Sequence, residues 1–98
     1  MKTLNIIGAG RVGQTLGHLW QQQPLLHIGA VANRSIAQAQ AAVAFIGAGQ
    51  PYLLHDMAAL PPADYWLIAC PDDHLSFCSE ALVKSGVIQP QAIVFHCS

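Results

Sequence analysis

The segment "NIIGAGRVGQTLG", residues 5–17, constrains this chain more than any other stretch. A short apolar run, Leu4 to Ile7, ends directly on three glycines spaced Gly-x-Gly-x-x-Gly. Val12, Leu16, Leu19 and Trp20 then recur at helical spacing until Pro24 stops the pattern. Strand, glycine turn, helix is the context that gives such a triplet meaning. Gly8 permits a tight turn off the strand. Gly10 lets a pyrophosphate approach the backbone with no Cβ in the way, and Gly13 lets the helix pack closely on the sheet. Gly17, one turn on, has no side chain to hold that helix away either. The helix N-terminus would then aim its N–H groups and dipole at the phosphates, with Ala9, Arg11 and Val12 completing the loop. The competing reading is a tight strand-to-helix turn that binds nothing.

The rest of the chain repeats the alternation. Ile28 to Ala32 reads as a second strand. Ser35 opens "SIAQAQAAVAFIG" as an N-cap, with Gln38 three residues on to complete a capping box. Ile36, Ala39, Val43 and Ile46 line one face of that helix, and Gly47 is placed to end it. Pro51 to Leu54 is a weaker third strand, followed by a helical turn near Asp56 to Leu60 and by the Pro61-Pro62 break. "DYWLIAC", Asp64 to Cys70, has the continuous apolar character of a central parallel strand. Asp72 or Asp73 can cap a helix running to about Lys84, with Gly86 beyond it. "AIVFHCS", Ala92 to Ser98, supplies a fifth strand. Right-handed crossovers turn this order into an α/β fold. It is a doubly wound parallel sheet of five strands, in the order 3-2-1-4-5, with helices on both faces.

Composition agrees and narrows the function. Of 98 residues, 53% are hydrophobic and 9% charged, which suits one small domain with strands buried on both faces. Only 4 residues are Lys or Arg, so the chain lacks the basic patch of a nucleic-acid binder. No apolar run reaches the roughly 18 residues needed to cross a bilayer, and the first residues do not read as a signal peptide. Three cysteines, Cys70, Cys78 and Cys97, form no CxxC pair. That usage predicts a reducing, cytoplasmic setting, in which a Cys70–Cys97 disulfide is disfavoured.

The end of the second strand bears on cofactor choice. A carboxylate about 20 residues after the glycine loop would bind the adenosine ribose and select NAD. Here the residues are Asn33-Arg34-Ser35. No carboxylate stands there to repel a 2′-phosphate. Arg34 offers a planar guanidinium suited to one, Ser35 adds a hydroxyl, and Arg11 can add a second positive charge. Ser35 is also explained as a helix cap, and Arg34 as a solvated surface residue. The balance favours NADP over NAD.

"NIIGAGRVGQTLG", "VANRS", "ADYWLIACPDDHL" and "IVFHCS" together resemble the N-terminal domain of the Rossmann-like NADP oxidoreductases. These are relatives of pyrroline-5-carboxylate reductase, the deazaflavin-dependent NADP reductase and 6-phosphogluconate dehydrogenase. The chain is most similar to the branch whose Rossmann domain precedes a helical domain of poorly defined function. The resemblance implies that Gly8 to Gly13 bind pyrophosphate and that Asn33, Arg34 and Ser35 bind the 2′-phosphoribose. It also places Ala69, Cys70 and Pro71 along the nicotinamide ribose. It further implies that residues 1–98 are a dinucleotide-binding domain, inactive alone. A helical domain would complete the pocket for a small-molecule substrate and form a homodimer. The implied reaction is hydride transfer to or from a small carbonyl or imine. The alternative is a non-catalytic NAD(P)-binding sensor.

Cys70, Asp72, Asp73, His74, His96 and Cys97 all fall near the carboxyl ends of the fourth and fifth strands. His96 is the candidate general acid, although a histidine hydrogen-bonded at a strand end would look the same. The two aspartates are better explained as caps than as a catalytic pair. A zinc site built from Cys70, His74, His96 and Cys97 is disfavoured, because His96 and Cys97 point to opposite faces of one strand.

Overall fold

In the computed structural model, which describes residues 2–70 and 72–96 (the side chains of 72–75 excepted), strands and helices alternate as the sequence predicts. The elements are β1 (Lys2–Ile7), α1 (Arg11–Gln21), β2 (Leu26–Asn33), α2 (Ile36–Ile46) and β3 (Gln50–Leu53). A 3-10 segment (Leu54–Ala59), β4 (Tyr65–Ile68), α3 (Asp72–Ser85) and β5 (Ile93–His96) follow. Each strand pairing is parallel, and the order across the sheet is β3-β2-β1-β4-β5. The winding reverses between β1 and β4. An open α/β sheet receives ligands above such a reversal.

Both faces of the central strands β1, β2 and β4 are buried, while β3 and β5 at the edges are more open. Leu4, Ile6, Ile28, Val31 and Leu67 pack with Ala42 and Ile46 of α2 on one side. Ile7, Ala32, Trp66 and Ile68 pack with Met57, Leu60 and Leu82 on the other. No described helix is long and apolar enough to cross a membrane.

The helices bury smaller residues than their apolar periodicity suggests. α1 meets the sheet with Gly13 and Gly17, while Val12 and Leu19 remain 48% and 52% exposed. α2 buries Ala39, Ala42 and Ile46, with Val43 half-buried. Ile36, expected on that face, stands exposed in the first turn just past the end of β2. Small residues let each helix lie close to the strands, so the contact face is chosen by fit rather than by hydrophobicity. The caps of α2 are as expected: Ser35 Oγ accepts from Gln38 N at 3.1 Å, and Gly47 ends the helix at φ 90°. The side chains of Asp72 and Asp73, expected as caps of α3, lie outside the described residues, as do Cys97 and Ser98 of the expected fifth strand.

One polar side chain is buried among the described residues, that of Asn5 in β1. The register of β1 on β2 shifts between Leu4 and Ile6, so Asn5 stands opposite two residues, Gly29 and Ala30. Such a bulge leaves a backbone group without its ladder partner. Asn5 Oδ1 supplies one, accepting from Ala30 N at 2.8 Å. Its Nδ2 donates to the Pro61 carbonyl at 2.8 Å, tying the approach to β4 into the same point. A Cβ on Gly29 would come within 2.6 Å of Asn5 Oδ1, so residue 29 must be bare for the carboxamide to fit.

Asn5→Leu should therefore lower stability by about 2–4 kcal/mol, since it strands a buried N–H and a buried carbonyl together. Urea unfolding monitored by far-UV circular dichroism tests this. A loss under about 0.5 kcal/mol would show that the bulge holds without the carboxamide.

Candidate functional site

The glycine turn leaves β1 at the reversal point. Gly8 adopts φ 74°, a left-handed conformation that L side chains rarely take. Its N–H donates to Ala32 O of β2 at 2.7 Å, and Gly10 N donates back to Gly8 O at 2.7 Å. Two side-chain amides then clamp the turn from opposite sides. Gln14 Nε2, one turn into α1, and Asn33 Nδ2, at the end of β2, both donate to the Ala9 carbonyl, at 3.0 and 3.1 Å.

The three glycines of the triplet serve different ends. A Cβ at Gly8 would collide with Cys70, 2.5 Å from its Sγ. At Gly13 it would lie 2.9 Å from the Ala69 Cβ, forcing α1 off the sheet. At Gly10 the outcome is the opposite. The nearest atom among the described residues is the Gly8 carbonyl oxygen, 4.0 Å away, and the backbone, at φ −82°, suits any residue. Gly10 faces open space.

That space is a crevice of about 530 Å³. Its floor is the turn itself, and Gln14, Asn33, Arg34 and Gln38 are its polar lining. Ala41 of α2, Leu54, Cys70 and Cys78 complete it. Arg34 is exposed and is the charged side chain among the described lining residues. No side chain caps the start of α1 among the described residues, in contrast to Ser35 on α2. Asn33 Oδ1 is buried without a hydrogen-bond partner. Its Nδ2 is committed to Ala9 O, so the free atom is an acceptor awaiting a donor.

The structure thus brings Gly8, Ala9, Gly10, Asn33, Arg34 and Cys70 to one crevice. None of the other expected residues that are described belongs to its lining. Arg11 and Val12 sit exposed on the first turn of α1. Ser35 is engaged as the cap of α2. Ala69 turns toward Gly13, and its N–H donates to Ile7 O at 2.8 Å. His96 is exposed at the end of β5, on the far side of β4 from β1. Pro71 lies outside the described residues. Gln14 and Leu54 were not anticipated. An amide one turn past a glycine loop was the available signal for Gln14.

The cysteines require a correction. The sequence predicts a reducing setting and disfavours a Cys70–Cys97 bridge, and the pair Cys70–Cys78 is not foreseen there; the structure joins these two as a disulfide, with Cα atoms 7.0 Å apart. Cys70 is therefore engaged with a residue of α3, while the His74 side chain and Cys97 lie outside the described residues. Among the described residues no group of three His, Cys, Asp or Glu could hold a metal ion.

Fold and glycine turn together define an open α/β domain of the dinucleotide-binding type. The family model of the Rossmann-like domain matches residues 2–98, and the chain belongs to that family. Among similar solved structures is a candidate NADP oxidoreductase from Bacteroides fragilis, at 17% identity and TM-score 0.83, covering 99% of this chain and 36% of that one. Arogenate dehydrogenase from Synechocystis matches at 17% identity and TM-score 0.78, covering 98% and 32%. Prephenate dehydrogenase from A. aeolicus, in complex with hydroxyphenyl propionate and NAD+, matches at 17% identity and TM-score 0.73, covering 98% and 33%. At these identities the likeness is one of fold. The chain spans about a third of the length of these structures. No curated protein sequence matches it.

The glycine geometry sets up a contrast. Gly13→Ala should cost about 1–3 kcal/mol, because the Ala69 Cβ belongs to a strand end and cannot swing aside. Gly10→Ala should cost about 1 kcal/mol or less, the price of a poorer N-cap alone. Thermal unfolding of the two variants checks this; equal losses would contradict the assignment of Gly10 to open space.

Proposed function

We propose that this domain binds NADP(H) as the cofactor-binding part of an oxidoreductase acting on a small carbonyl or imine compound. Gly10 carries the reading. Neither its backbone angles nor its packing asks for glycine, so its bareness serves something that approaches from the crevice. The uncapped start of α1 and the unpartnered Asn33 Oδ1 support the same reading. The first offers N–H donors and a positive dipole end to phosphate oxygens, and the second offers an acceptor to a ribose hydroxyl.

Arg34 and the absence of a carboxylate at the end of β2 support NADP over NAD. A neighbouring cavity of about 800 Å³ shares Arg34 and Leu54 with the crevice and is walled by Met57, Phe77 and Ala81. It is the space we assign to the adenine. The bound nicotinamide would supply the hydride. The chain's own residues bind and orient. We place the groups that hold the substrate, and any homodimer contact, in a helical domain C-terminal to this one.

Fluorescence titration with NADPH and with NADH tests the reading. NADPH should saturate the domain and bind more tightly than NADH. Arg34→Ala should weaken NADPH about tenfold or more, with little effect on NADH, as expected for loss of a charge-assisted phosphate contact. Equal loss for both would remove the case for NADP, and no saturable binding of either would remove the cofactor reading itself.

A further inference from the structure

The crevice wall contains a feature that cofactor binding does not require. Cys70 follows β4 and Cys78 lies in the second turn of α3, and their sulfurs meet at the edge of the crevice. Both residues are buried, at 3% and 5% exposure, yet both line the crevice, and Cys78 also lines the neighbouring cavity. The sulfur pair is therefore enclosed by protein but open to a small reagent from two sides. Cys70 Sγ also lies directly beneath Gly8, where any Cβ would strike it.

We infer that Cys70 and Cys78 form a reversible redox bridge that fixes the wall of the crevice. Both states are accommodated. As a thiol, Cys70 has an acceptor in Ile7 O, 3.9 Å from its sulfur. As a disulfide it has no proton to place. The Cα separation of 7.0 Å is at the limit beyond which a disulfide requires the backbone to move, so the bridge leaves no slack between strand end and helix. Opening it leaves only the intervening chain and the packing of α3 to hold that wall.

The oxidant belongs to the class of small disulfides, such as oxidised glutathione. The Cys78 thiolate attacks one glutathione sulfur, forming a mixed disulfide and releasing a glutathione thiolate that takes up the cysteine's proton. The Cys70 thiolate then attacks Cys78 Sγ and displaces the second glutathione, which takes up the second proton. One sulfur–sulfur bond forms in the protein and one is lost from the oxidant. The two cysteines together give up two electrons. Reduced glutathione reverses both steps. Because the bridge supports the glycine turn, its state is linked to whatever occupies the crevice, and the linkage runs both ways. This last consequence rests on the cofactor reading above.

The bridge is tested without any ligand. A Cys97→Ser protein is equilibrated in buffers of varied oxidised-to-reduced glutathione, alkylated, and cut on the N-terminal side of aspartate, which separates Cys70 from Cys78 unless they are joined. A joined peptide that appears and disappears with the ratio is expected. Amide hydrogen exchange over Phe77–Leu82 should be about tenfold faster in the reduced form. Cys78→Ser should match the reduced form at every ratio. No joined peptide, or exchange indifferent to its presence, would overturn the inference.

NADPH titration of the two forms then reads the linkage. About fivefold or more tighter binding by the bridged form is expected, and equal binding would overturn the linkage. Failure of both forms to bind NADPH would count against the cofactor reading and leave the peptide and exchange results to decide the bridge.

Discussion

Everything at the crevice depends on how closely α1 lies on the sheet. Gly13 and Gly17 present no side chains there, and the space they leave is filled by Ala69, Ile6 and Ile46. The methyl and methylene groups of β1, the β4 terminus and α2 thus meet on one bare stripe of helix. A helix held that close starts directly over the point where the sheet reverses its winding. Its uncapped end and the glycine turn before it are therefore positioned by packing, with no contact to a ligand needed. The site is a by-product of a steric choice made three and seven residues downstream of Gly10.

The polar part of the crevice is organised around a single backbone oxygen. Ala9 O receives two amide donors, one from α1 and one from the end of β2. This fixes the turn between its two neighbours and also decides which atom of Asn33 is left over. With the nitrogen engaged, the carboxamide must show its oxygen. A loop that clamps itself in this way arrives with its acceptor already oriented, so less ordering remains to be done when a partner binds.

Most of the fold was legible because its signals are local. Ser35 with Gln38, Gly47, Pro24 and the Pro61-Pro62 break mark ends of elements whatever surrounds them, and alternation plus handedness then gives the strand order. What was misread is instructive. Val12 and Ile36 belong to apolar helical patterns yet stand exposed, because helices packed this closely bury glycine and alanine instead. The candidate site was legible at Gly8, Gly10, Asn33 and Arg34, where motif and position coincide. Cys70 with Cys78 was not. Their meeting depends on the angle at which α3 leaves the sheet, which no spacing rule encodes. Asn5 gave no sign either, since a polar residue within an apolar strand can equally face a turn.

The bulge opposite Asn5 has an effect at some distance from itself. Side chains on a strand alternate between faces, so one additional residue reverses the alternation for all that follow. Ile28 and Val31 point to the same face of the sheet although an odd number of steps separates them. Two residues further on, Asn33 inherits that inverted phase, which is the phase that turns its amide toward the glycine turn. Were β2 to pass Asn5 in regular alternation, without the bulge, the same sequence Asn-Arg-Ser would emerge with its asparagine facing the opposite layer. The parity of one strand, settled near its beginning, thus determines what chemistry its last residue can offer.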